Sequence, residues 1–427
     1  MNNSEFIPAK RHGIAVRQLC PNATEVVRRL QEAGYEAYIV GGSVRDILLG
    51  KIPKDFDVAT SATPEQVKVV FPRCHLIGRR FRLAHVRLGG VLVEVATFRG
   101  EAGPSVGDRV HADGRILRDN VFGSLAEDAR RRDFTINALF MDPVTGDITD
   151  FVGGYRDLQE RRLRLIGDPV ERYREDPVRL LRAARFVAKL GVEPEPDTAT
   201  PIPELAPLLA NIPPARLFEE VCKLFLTGHA ARTLEALQRF QLTVPLFPVL
   251  PQRGMQGRAH TGVVLREALL NTDRRVQASQ PVTPAFLFAA LLWQPVLERA
   301  TAYQEQGEQE FASLERAATE VLALQTERTA IPRRFSAVTR QIWVMQPRFN
   351  RTRGRRAMRL LSQPRFRAAY DFLLLRAIED PSLQTTAEFW TEAQASAPSP
   401  APPARSQGRG RGRRRRRSRG RPGRSAE

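Results

Sequence analysis

Two carboxylates separated by a single residue, Asp55 and Asp57, are the most informative feature of this chain. In an extended segment, residues at this spacing place their side chains on one face of the strand. Two aligned carboxylates suit a pair of Mg²⁺ ions, which assist in-line displacement at phosphorus. The pair therefore predicts metal-assisted transfer of a phosphate-containing group.

A short apolar segment and a glycine pair precede these carboxylates. Residues 38–40 predict a strand, Gly41 and Gly42 a turn, and Arg45 lies in the helix that the turn is expected to open. Glycines at such a turn let backbone N–H groups approach a phosphate without a Cβ atom in the way. An isolated Asp-x-Asp is most often a pair of solvated turn residues, but this combination favours nucleotide chemistry.

Three segments, in order, resemble the signature motifs of the class II nucleotidyltransferases, which include the bacterial poly(A) polymerases and the CCA-adding enzymes. They are Gly41–Gly50 with Asp55–Asp57, Arg131–Leu139, and Glu175–Phe186. The resemblance runs from about residue 20 to about residue 380. It implies template-independent transfer of AMP from ATP to an RNA 3′-hydroxyl, with release of pyrophosphate.

The resemblance also implies roles for the acidic residues. Asp55 and Asp57 are expected to hold two Mg²⁺ ions, one at the RNA 3′-hydroxyl and one at the triphosphate. Asp133 is a candidate third carboxylate because its motif belongs to the family's active site. Its rival is Glu94, a charge within the β-branched strand predicted at residues 91–98. The sequence leaves both open, as well as an ordinary solvent-facing position for Glu94.

Residues in all three motifs are expected to bind the nucleotide. Backbone N–H groups of the glycine pair and the Arg45 guanidinium are expected to meet the triphosphate, and Asn137 the sugar. In the third motif, helical spacing places a carboxylate and two guanidinium groups on one face, where they could read a base edge. The alternative for Asp176 is a helix cap. The full predicted set is Gly41, Gly42, Arg45, Arg132, Asn137, Asp176, Arg179 and Arg182.

The charge balance indicates a polyanionic partner. The chain carries 66 Lys and Arg against 47 Asp and Glu, a net charge of +19. Residues 333–370 contain eleven Arg, no acidic residue and several aromatics, a composition typical of a single-strand RNA track. We expect most of these aromatics in the core and the arginines toward RNA, among them Arg333, Arg334, Arg351, Arg353, Arg355 and Arg356.

Composition and periodicity divide the chain into five regions. They predict a flexible leader (1–20), an α+β nucleotidyltransferase head with a mixed sheet (21–165), a helical neck with the base-selecting motif (166–235) and an all-α RNA-binding body (236–390). Residues 391–427 are predicted to be a disordered Arg-rich tail, because beyond Ser396 no apolar residue is larger than Ala.

The remaining expectations concern location and partners. Three dispersed cysteines, Cys20, Cys74 and Cys222, predict neutral thiols in a reducing cytoplasm rather than disulfides. No apolar run is long enough to span a membrane. RNA 3′ ends, ATP and RNA-decay proteins are the expected partners, and no DNA partner is expected. The Arg-rich stretches favour a poly(A) polymerase; the alternatives are a CCA-adding enzyme and a catalytically inactive RNA-binding protein.

Overall fold

The computed structural model describes residues 4–78, 82–100, 121–250 and 262–396. Within these ranges the N-terminal part is a mixed sheet flanked by helices, and the part beyond residue 195 is helical. The predicted α+β head and all-α body are therefore confirmed. The tail beyond residue 396, and Arg79 to Phe81 near the glycine turn at 78, lie outside the described residues.

One eight-stranded sheet organises the head. Its strands are β1 (Glu5–Ile7), β2 (Ala37–Val40), β3 (Asp57–Thr60), β4 (His75–Ile77), β5 (Leu83–Leu88), β6 (Val91–Thr97), β7 (Leu139–Met141) and β8 (Ile148–Asp150). The order across the sheet is β1-β8-β7-β2-β3-β6-β5-β4. Only β3 and β6 pair in parallel among these strands. A short parallel pair, β9 (Arg162–Leu163) and β10 (Glu193–Pro194), lies apart from it.

Side-chain caps mark the start of two of the six head helices in the described residues, those that begin at Pro64 and Leu125. In the helix at 64–70, Thr63 and Gln66 form a reciprocal capping box ahead of Pro64. The helix at 21–32 starts directly after Cys20 without a side-chain cap, with Pro21 as its first residue. The head helices are α1 (Ala9–His12), α2 (Pro21–Glu32), α3 (Gly42–Leu48), α4 (Pro64–Val70), α5 (Leu125–Arg131) and α6 (Gly154–Gln159).

Sixteen further helices of the described residues form the neck and body. They are α7 (Pro169–Glu175), α8 (Val178–Leu190), α9 (Pro196–Ala199), α10 (Ile202–Leu205), α11 (Pro214–Phe225), α12 (Ala230–Arg239), α13 (Thr243–Leu246), α14 (Val263–Gln277), α15 (Pro284–Leu291), α16 (Trp293–Glu305), α17 (Glu310–Thr329), α18 (Arg333–Val344), α19 (Gln346–Phe349), α20 (Arg355–Met358), α21 (Phe366–Glu379) and α22 (Gln384–Ser396). Short 3₁₀ turns connect several elements, at Val16–Gln18, Thr135–Asn137, Ala206–Asn211 and Pro381–Leu383.

Helix α8 carries the third motif and joins the head to the body. It starts at Val178 after Pro177, which occupies the N-cap position, so Asp176 is not the cap residue; its carboxylate accepts a local hydrogen bond from the Val178 N–H at 3.3 Å. Gly191, at φ +66°, ends the helix in the left-handed conformation that glycine adopts without strain. The buried face of α8 includes Leu180, Leu181, Ala184 and Ala188.

The predicted flexible leader is wrong for the residues that the structure describes. Strand β1 pairs antiparallel with β8 at the edge of the sheet, and Ile7 is fully buried. The His12 ring lies 2.8 Å from the Gly146 carbonyl oxygen through Nε2. The error arose because a three-residue edge strand leaves almost no periodic pattern in the sequence.

In the Arg-rich segment at 333–370, most of the aromatic side chains are buried, as predicted, and the basic side chains named above are exposed where they are described. Trp343, Phe349, Phe366 and Tyr370 are buried, and Phe335 is half-buried. Of the six arginines named above, Arg333, Arg334, Arg351, Arg353 and Arg355 are exposed, whereas the Arg356 side chain lies outside what the structure describes.

The cysteine and membrane expectations can be compared with the same ranges. Cys20, Cys74 and Cys222 are free thiols, and burial raises the pKa of Cys74, and that of Cys222 to about 11. Neutral thiols are thus confirmed for these two residues. No helix in the described ranges has the length and apolarity needed to cross a membrane.

The buried edge strand generates a stability prediction. Ile7→Ala should lower the free energy of unfolding by about 2–5 kcal/mol, because it leaves a cavity at a fully buried position. Phe6→Ala is the matched control, since this neighbouring side chain is 61% exposed and its loss should cost no more than about 0.5 kcal/mol. Denaturant unfolding of both variants measures the difference, and equal stabilities would contradict an ordered N-terminal segment.

Candidate active site

The parallel pairing of β3 and β6 places two acidic residues side by side. Asp57 is the register partner of Glu94. Val93 and Val95, on either side of Glu94, are buried at 1% exposure, so strand alternation turns Glu94 to the opposite face, where half of its side chain is exposed. Both acidic side chains line an open cleft of about 390 Å³.

The surroundings of Asp57 disfavour the charged form of its carboxylate. Withdrawal from water raises its pKa above the ordinary value, and the negative charges of Glu94 and Asp55 raise it further, while the Arg132 guanidinium opposes the shift. Asp55 precedes β3 in an exposed loop and does not line this cleft. The structure thus brings Asp57 and Glu94 together and leaves Asp55 at the edge.

The opposite wall of the cleft comes from the neck. Glu175, Asp176 and Arg179 line it, at the junction of α7 and α8. The first motif's metal-binding candidate and the third motif's base-selecting candidates therefore face one space, although more than a hundred residues separate them in the chain. Three other charged residues that line the cleft were not in the predicted set: Arg99, Asp128 and Arg131.

Each basic or acidic group of the neck wall has a fixed orientation. The Arg179 guanidinium donates to the Glu175 carboxylate at 2.7 Å and to the Arg172 carbonyl oxygen at 2.6 Å. The Asp176 carboxylate pairs with Arg216 of α11 at 2.8 Å. The predicted pair is held rigidly, but through Glu175 and Arg216 rather than through a contact between Asp176 and Arg179. Arg216 lies forty residues further along the chain, beyond the reach of any local pattern.

Arg132 is the basic group of the head wall that the sequence predicted. Its Nε and Nη2 atoms donate to the Asp128 carboxylate at 3.1 and 2.9 Å, and its guanidinium lies 5.0 Å from the Phe140 ring centroid. Gly41 makes room beside it: a Cβ atom there would lie 3.4 Å from Arg132 Nη1. Gly41 also has φ +76°, which strongly favours glycine.

Several predicted nucleotide-binding residues occupy a buried polar chain instead of the cleft. The Arg45 guanidinium, 4% exposed, donates to Asp46 at 2.6 Å and to the Asn137 side-chain oxygen. Asn137 in turn donates to Asp133 at 2.9 Å. None of Gly41, Gly42, Arg45, Asn137, Asp133 and Arg182 is among the residues that line the cleft.

Side chains of helix α8 pair with both ends of this buried series of hydrogen-bonded residues. Arg182 pairs with the Asp133 carboxylate at 2.5 Å, and Lys189, two turns further along, pairs with Asp46 at 3.1 Å. The guanidinium groups of Arg45 and Arg182 lie 5.2 and 5.3 Å from the Phe186 ring centroid between them. Residues of all three sequence motifs therefore form one continuous network between head and neck.

Asp133 is consequently an internal ion-pair partner. Burial opposes its ionisation, but the Arg182 charge and hydrogen bonds from Asn137 and the Phe134 N–H outweigh burial, so the pKa of Asp133 is below its usual value. In contrast, Glu94 has direct access to the cleft. Of the two rival carboxylates, only Glu94 lies beside Asp57.

The acidic pair fits a hard cation that shares its coordination with a substrate. In the described ranges, no three His, Cys, Asp or Glu side chains are arranged to hold a metal ion by themselves. Mg²⁺, however, commonly binds through one or two carboxylates and completes its shell with substrate phosphates and water. Desolvation is the main reason that the pKa of Asp57 is raised, and the negative charges of Glu94 and Asp55 add to it; a bound cation would offset that repulsion.

Comparison with known proteins shows the family to which the chain belongs. Family models match residues 37–164 ("Poly A polymerase head domain"), 191–253 ("Probable RNA and SrmB- binding site of polymerase A") and 306–422 ("Polymerase A arginine-rich C-terminus"). Poly(A) polymerase I of Salmonella typhimurium is 49% identical over 92% of this chain and 86% of its own, and that of Haemophilus influenzae is 45% identical over 92% and 89%.

CCA-adding enzymes are also similar, over less of the sequence. The enzyme of Streptococcus pneumoniae is 38% identical over 66% of this chain and 65% of its own. A solved CCA-adding enzyme of Bacillus stearothermophilus in complex with CTP superposes with a TM-score of 0.60 at 29% identity, covering 88% and 83% of the two chains. That of Thermotoga maritima, complexed with tRNA, shows the same fold at 20% identity, with a TM-score of 0.59 and coverage of 91% and 85%.

The Asp133–Arg182 pair generates a pH-dependent prediction. Asp133→Asn should lower the free energy of unfolding at pH 7 by about 2–3 kcal/mol, because Arg182 loses its charged partner while Asn keeps some hydrogen bonding. Since the folded-state pKa of Asp133 is lowered, its stabilisation is complete above the unfolded-state value near 4 and is lost as the pH falls through the folded-state value.

Denaturant unfolding from pH 7 down to pH 2 provides the measurement. The difference between wild type and Asp133→Asn should shrink over the acidic part of this range. Glu94→Gln is the control, because its half-exposed side chain should change stability by no more than about 0.5 kcal/mol. A difference for Asp133→Asn that stays constant with pH would contradict the ion-pair role.

Proposed function

Because the chain belongs to the bacterial poly(A) polymerase family, we propose that it is a polynucleotide adenylyltransferase that extends RNA 3′ ends with AMP taken from ATP. The observation that carries this proposal is the shared cleft, in which Asp57 and Glu94 of the head face Asp176 and Arg179 of the neck. One wall is suited to metal-assisted chemistry and the other to recognition of a base.

In this proposal Asp57 and Glu94 hold Mg²⁺, and Asp55 contributes from the edge of the cleft. Held by these carboxylates, Mg²⁺ would supply a lower pKa for the RNA 3′-hydroxyl and neutralisation of charge on the triphosphate. Arg132, held by Asp128, faces the same cleft and attracts the triphosphate by charge. Little covalent chemistry is required of the protein, because positioning and charge neutralisation provide most of the catalysis.

Base selection is proposed for Asp176 and Arg179. Each is held by an ion pair of its own, so a carboxylate acceptor and a guanidinium donor are presented at fixed positions toward the cleft. Rigid donors and acceptors reject a base that leaves them unpaired. Arg45, Asn137, Asp133 and Arg182 are proposed to act indirectly, by fixing this neck wall against the head.

RNA is proposed to follow the exposed arginines of the body. Arg333, Arg334, Arg351, Arg353 and Arg355 provide phosphate contacts, and stacking contributes little there because the neighbouring aromatics are mostly buried. A role in mRNA processing within the cytoplasm, with RNA-decay proteins as partners, is proposed from the same activity.

Incubation with RNA and each labelled nucleoside triphosphate tests the function as a whole.

The outcomes of that assay separate the alternatives. Long tails with ATP alone support the proposal. Addition of C-C-A to a trimmed tRNA would instead indicate a CCA-adding enzyme, and binding without incorporation an inactive RNA-binding protein.

The carboxylate assignment predicts loss of chemistry without loss of fold. Asp57→Asn and Glu94→Gln should each lower kcat by about a thousandfold or more, because a metal ligand is removed while the side-chain shape is kept. Primer-extension rates with saturating ATP and RNA measure the loss, and RNA affinity should stay unchanged. Glu32→Gln, at an exposed position of α2, is the control. A purified Asp57→Asn enzyme with substantial tailing activity would refute the assignment.

The base-selection assignment predicts a change in preference. Arg179→Ala should reduce the ratio of kcat/KM for ATP over CTP, GTP and UTP by about tenfold, because the remaining groups discriminate less between base edges. Arg174→Ala removes an exposed arginine one turn earlier and should leave the ratio unchanged. If Arg179→Ala lowers all four kcat/KM values equally, the residue has only a structural role.

A further inference from the structure

A second cleft lies in the helical body, apart from the candidate active site. Its volume is about 520 Å³, and its walls come from α14, the loop before α15, and the segment that leads into α21. None of its residues lines the first cleft. The size is in the range of about 300–1,000 Å³ that is usual for small-molecule sites.

The lining of this second cleft is basic, with an aromatic wall. The charged groups are Arg275, Arg365, Arg367 and Asp371, and the half-buried ring of Phe286 lines the same space. Three guanidinium groups and one carboxylate give a positive excess. Arginines for phosphate and an aromatic ring for a base form the combination that proteins use to hold unstacked nucleotides.

Two of the three arginines have internal partners. Arg275 donates to the Pro281 carbonyl oxygen at 3.0 and 3.2 Å, and thereby holds the loop that forms one wall. Arg367 pairs with Asp371 at 2.9 Å. Within the described part of the chain, no hydrogen bond or ion pair engages the Arg365 side chain. Arg365 is therefore the guanidinium that is available to a ligand.

Arg365 also has an unusual backbone conformation. It precedes α21 with φ +73° and ψ 7°, the left-handed region that costs a residue with a Cβ atom about 1 kcal/mol or more. Glycine would fit this position without strain. The strained backbone places an exposed guanidinium at the mouth of the cleft.

The chain connects this cleft with the basic surface of the body. Gly354, Arg355 and Arg359 lie on that open surface, and the next residues, Leu361 and Gln363, already line the cleft. A strand whose phosphates follow the exposed arginines would thus arrive at a cleft that is able to receive a base.

We propose that this cleft is a second nucleotide site, in which Arg365 contacts a phosphate and Phe286 stacks against the base. A nucleotide of the RNA strand, upstream of the growing 3′ end, is the occupant favoured by the adjoining arginine surface. Free mononucleotide has the same chemistry and is distinguished by the test. The strand form of the proposal rests on the RNA-extending function proposed above.

Binding measurements on the full-length enzyme test the site. Affinity for a labelled 20-nucleotide oligoadenylate is measured by fluorescence anisotropy, and affinity for labelled AMP by equilibrium dialysis. Both are measured for wild type, Arg365→Gly and Arg274→Ala. Arg365→Gly removes the guanidinium and relieves the backbone strain, so the fold is kept. Arg274→Ala removes an exposed charge from α14 outside the cleft and is the matched control.

Arg365→Gly should weaken oligoadenylate binding about fivefold or more, and Arg274→Ala less than twofold. Loss of AMP binding in Arg365→Gly, with oligoadenylate affinity unchanged, would assign the site to free mononucleotide. Photo-cross-linking with oligoadenylate that carries 8-azidoadenosine gives an independent location, since the modified peptides should include residues 281–286 or 361–371.

Equal affinities of wild type and Arg365→Gly for both ligands, or cross-links only elsewhere, would overturn the proposal. Addition of one nucleotide to a short saturating primer should be unaffected by Arg365→Gly. This separates the two hypotheses: an inactive wild-type enzyme refutes the proposed function, whereas an active enzyme that binds oligoadenylate equally well without Arg365 refutes only the second site.

Discussion

The ion pair between Asp133 and Arg182 is the contact on which the arrangement of the active cleft depends. Asp133 lies near the start of the second motif, two residues after the end of α5, and Arg182 lies on α8 one turn beyond Arg179. If the pair fixes the rotation of α8, it also fixes where Arg179 and Asp176 face. The lowered pKa of Asp133 shows that this charge is stabilised by its surroundings despite burial. A residue outside the cleft thus contacts the helix that carries Arg179, one of the residues that line it.

The parallel pairing of β3 with β6 is the second constraint. An antiparallel sheet could have been built by hairpins alone, but a parallel neighbour requires a longer connection, here the segment that contains α4, β4 and β5. The result is that residues 57 and 94 share a register. Desolvation is the main cause of the raised pKa of Asp57, and repulsion by the Glu94 carboxylate at the neighbouring strand position raises it further. Neighbouring like charges lower the stability of the folded protein, and a bound cation or basic ligand would offset this cost.

Local patterns predicted much of this molecule. The strand at 38–40, the helix that follows the glycine pair and the strand around Glu94 each depend on residues within one element, and each was confirmed. The failures concern contacts between distant elements. No pattern indicated that Arg45 and Asn137 would pair with each other, that Arg216 would hold Asp176, or that residues 5–7 would extend the sheet.

The same distinction explains why basic residues were hard to assign one by one. A guanidinium is equally able to bind a phosphate, a carboxylate or a carbonyl oxygen, and sequence composition does not say which. In the described ranges, Arg45, Arg132, Arg179 and Arg182 are held by protein groups, whereas Arg333, Arg351 and Arg353 are exposed on the body. The first group therefore has protein partners that fix its orientation, whereas the second group is exposed to solvent in the described ranges.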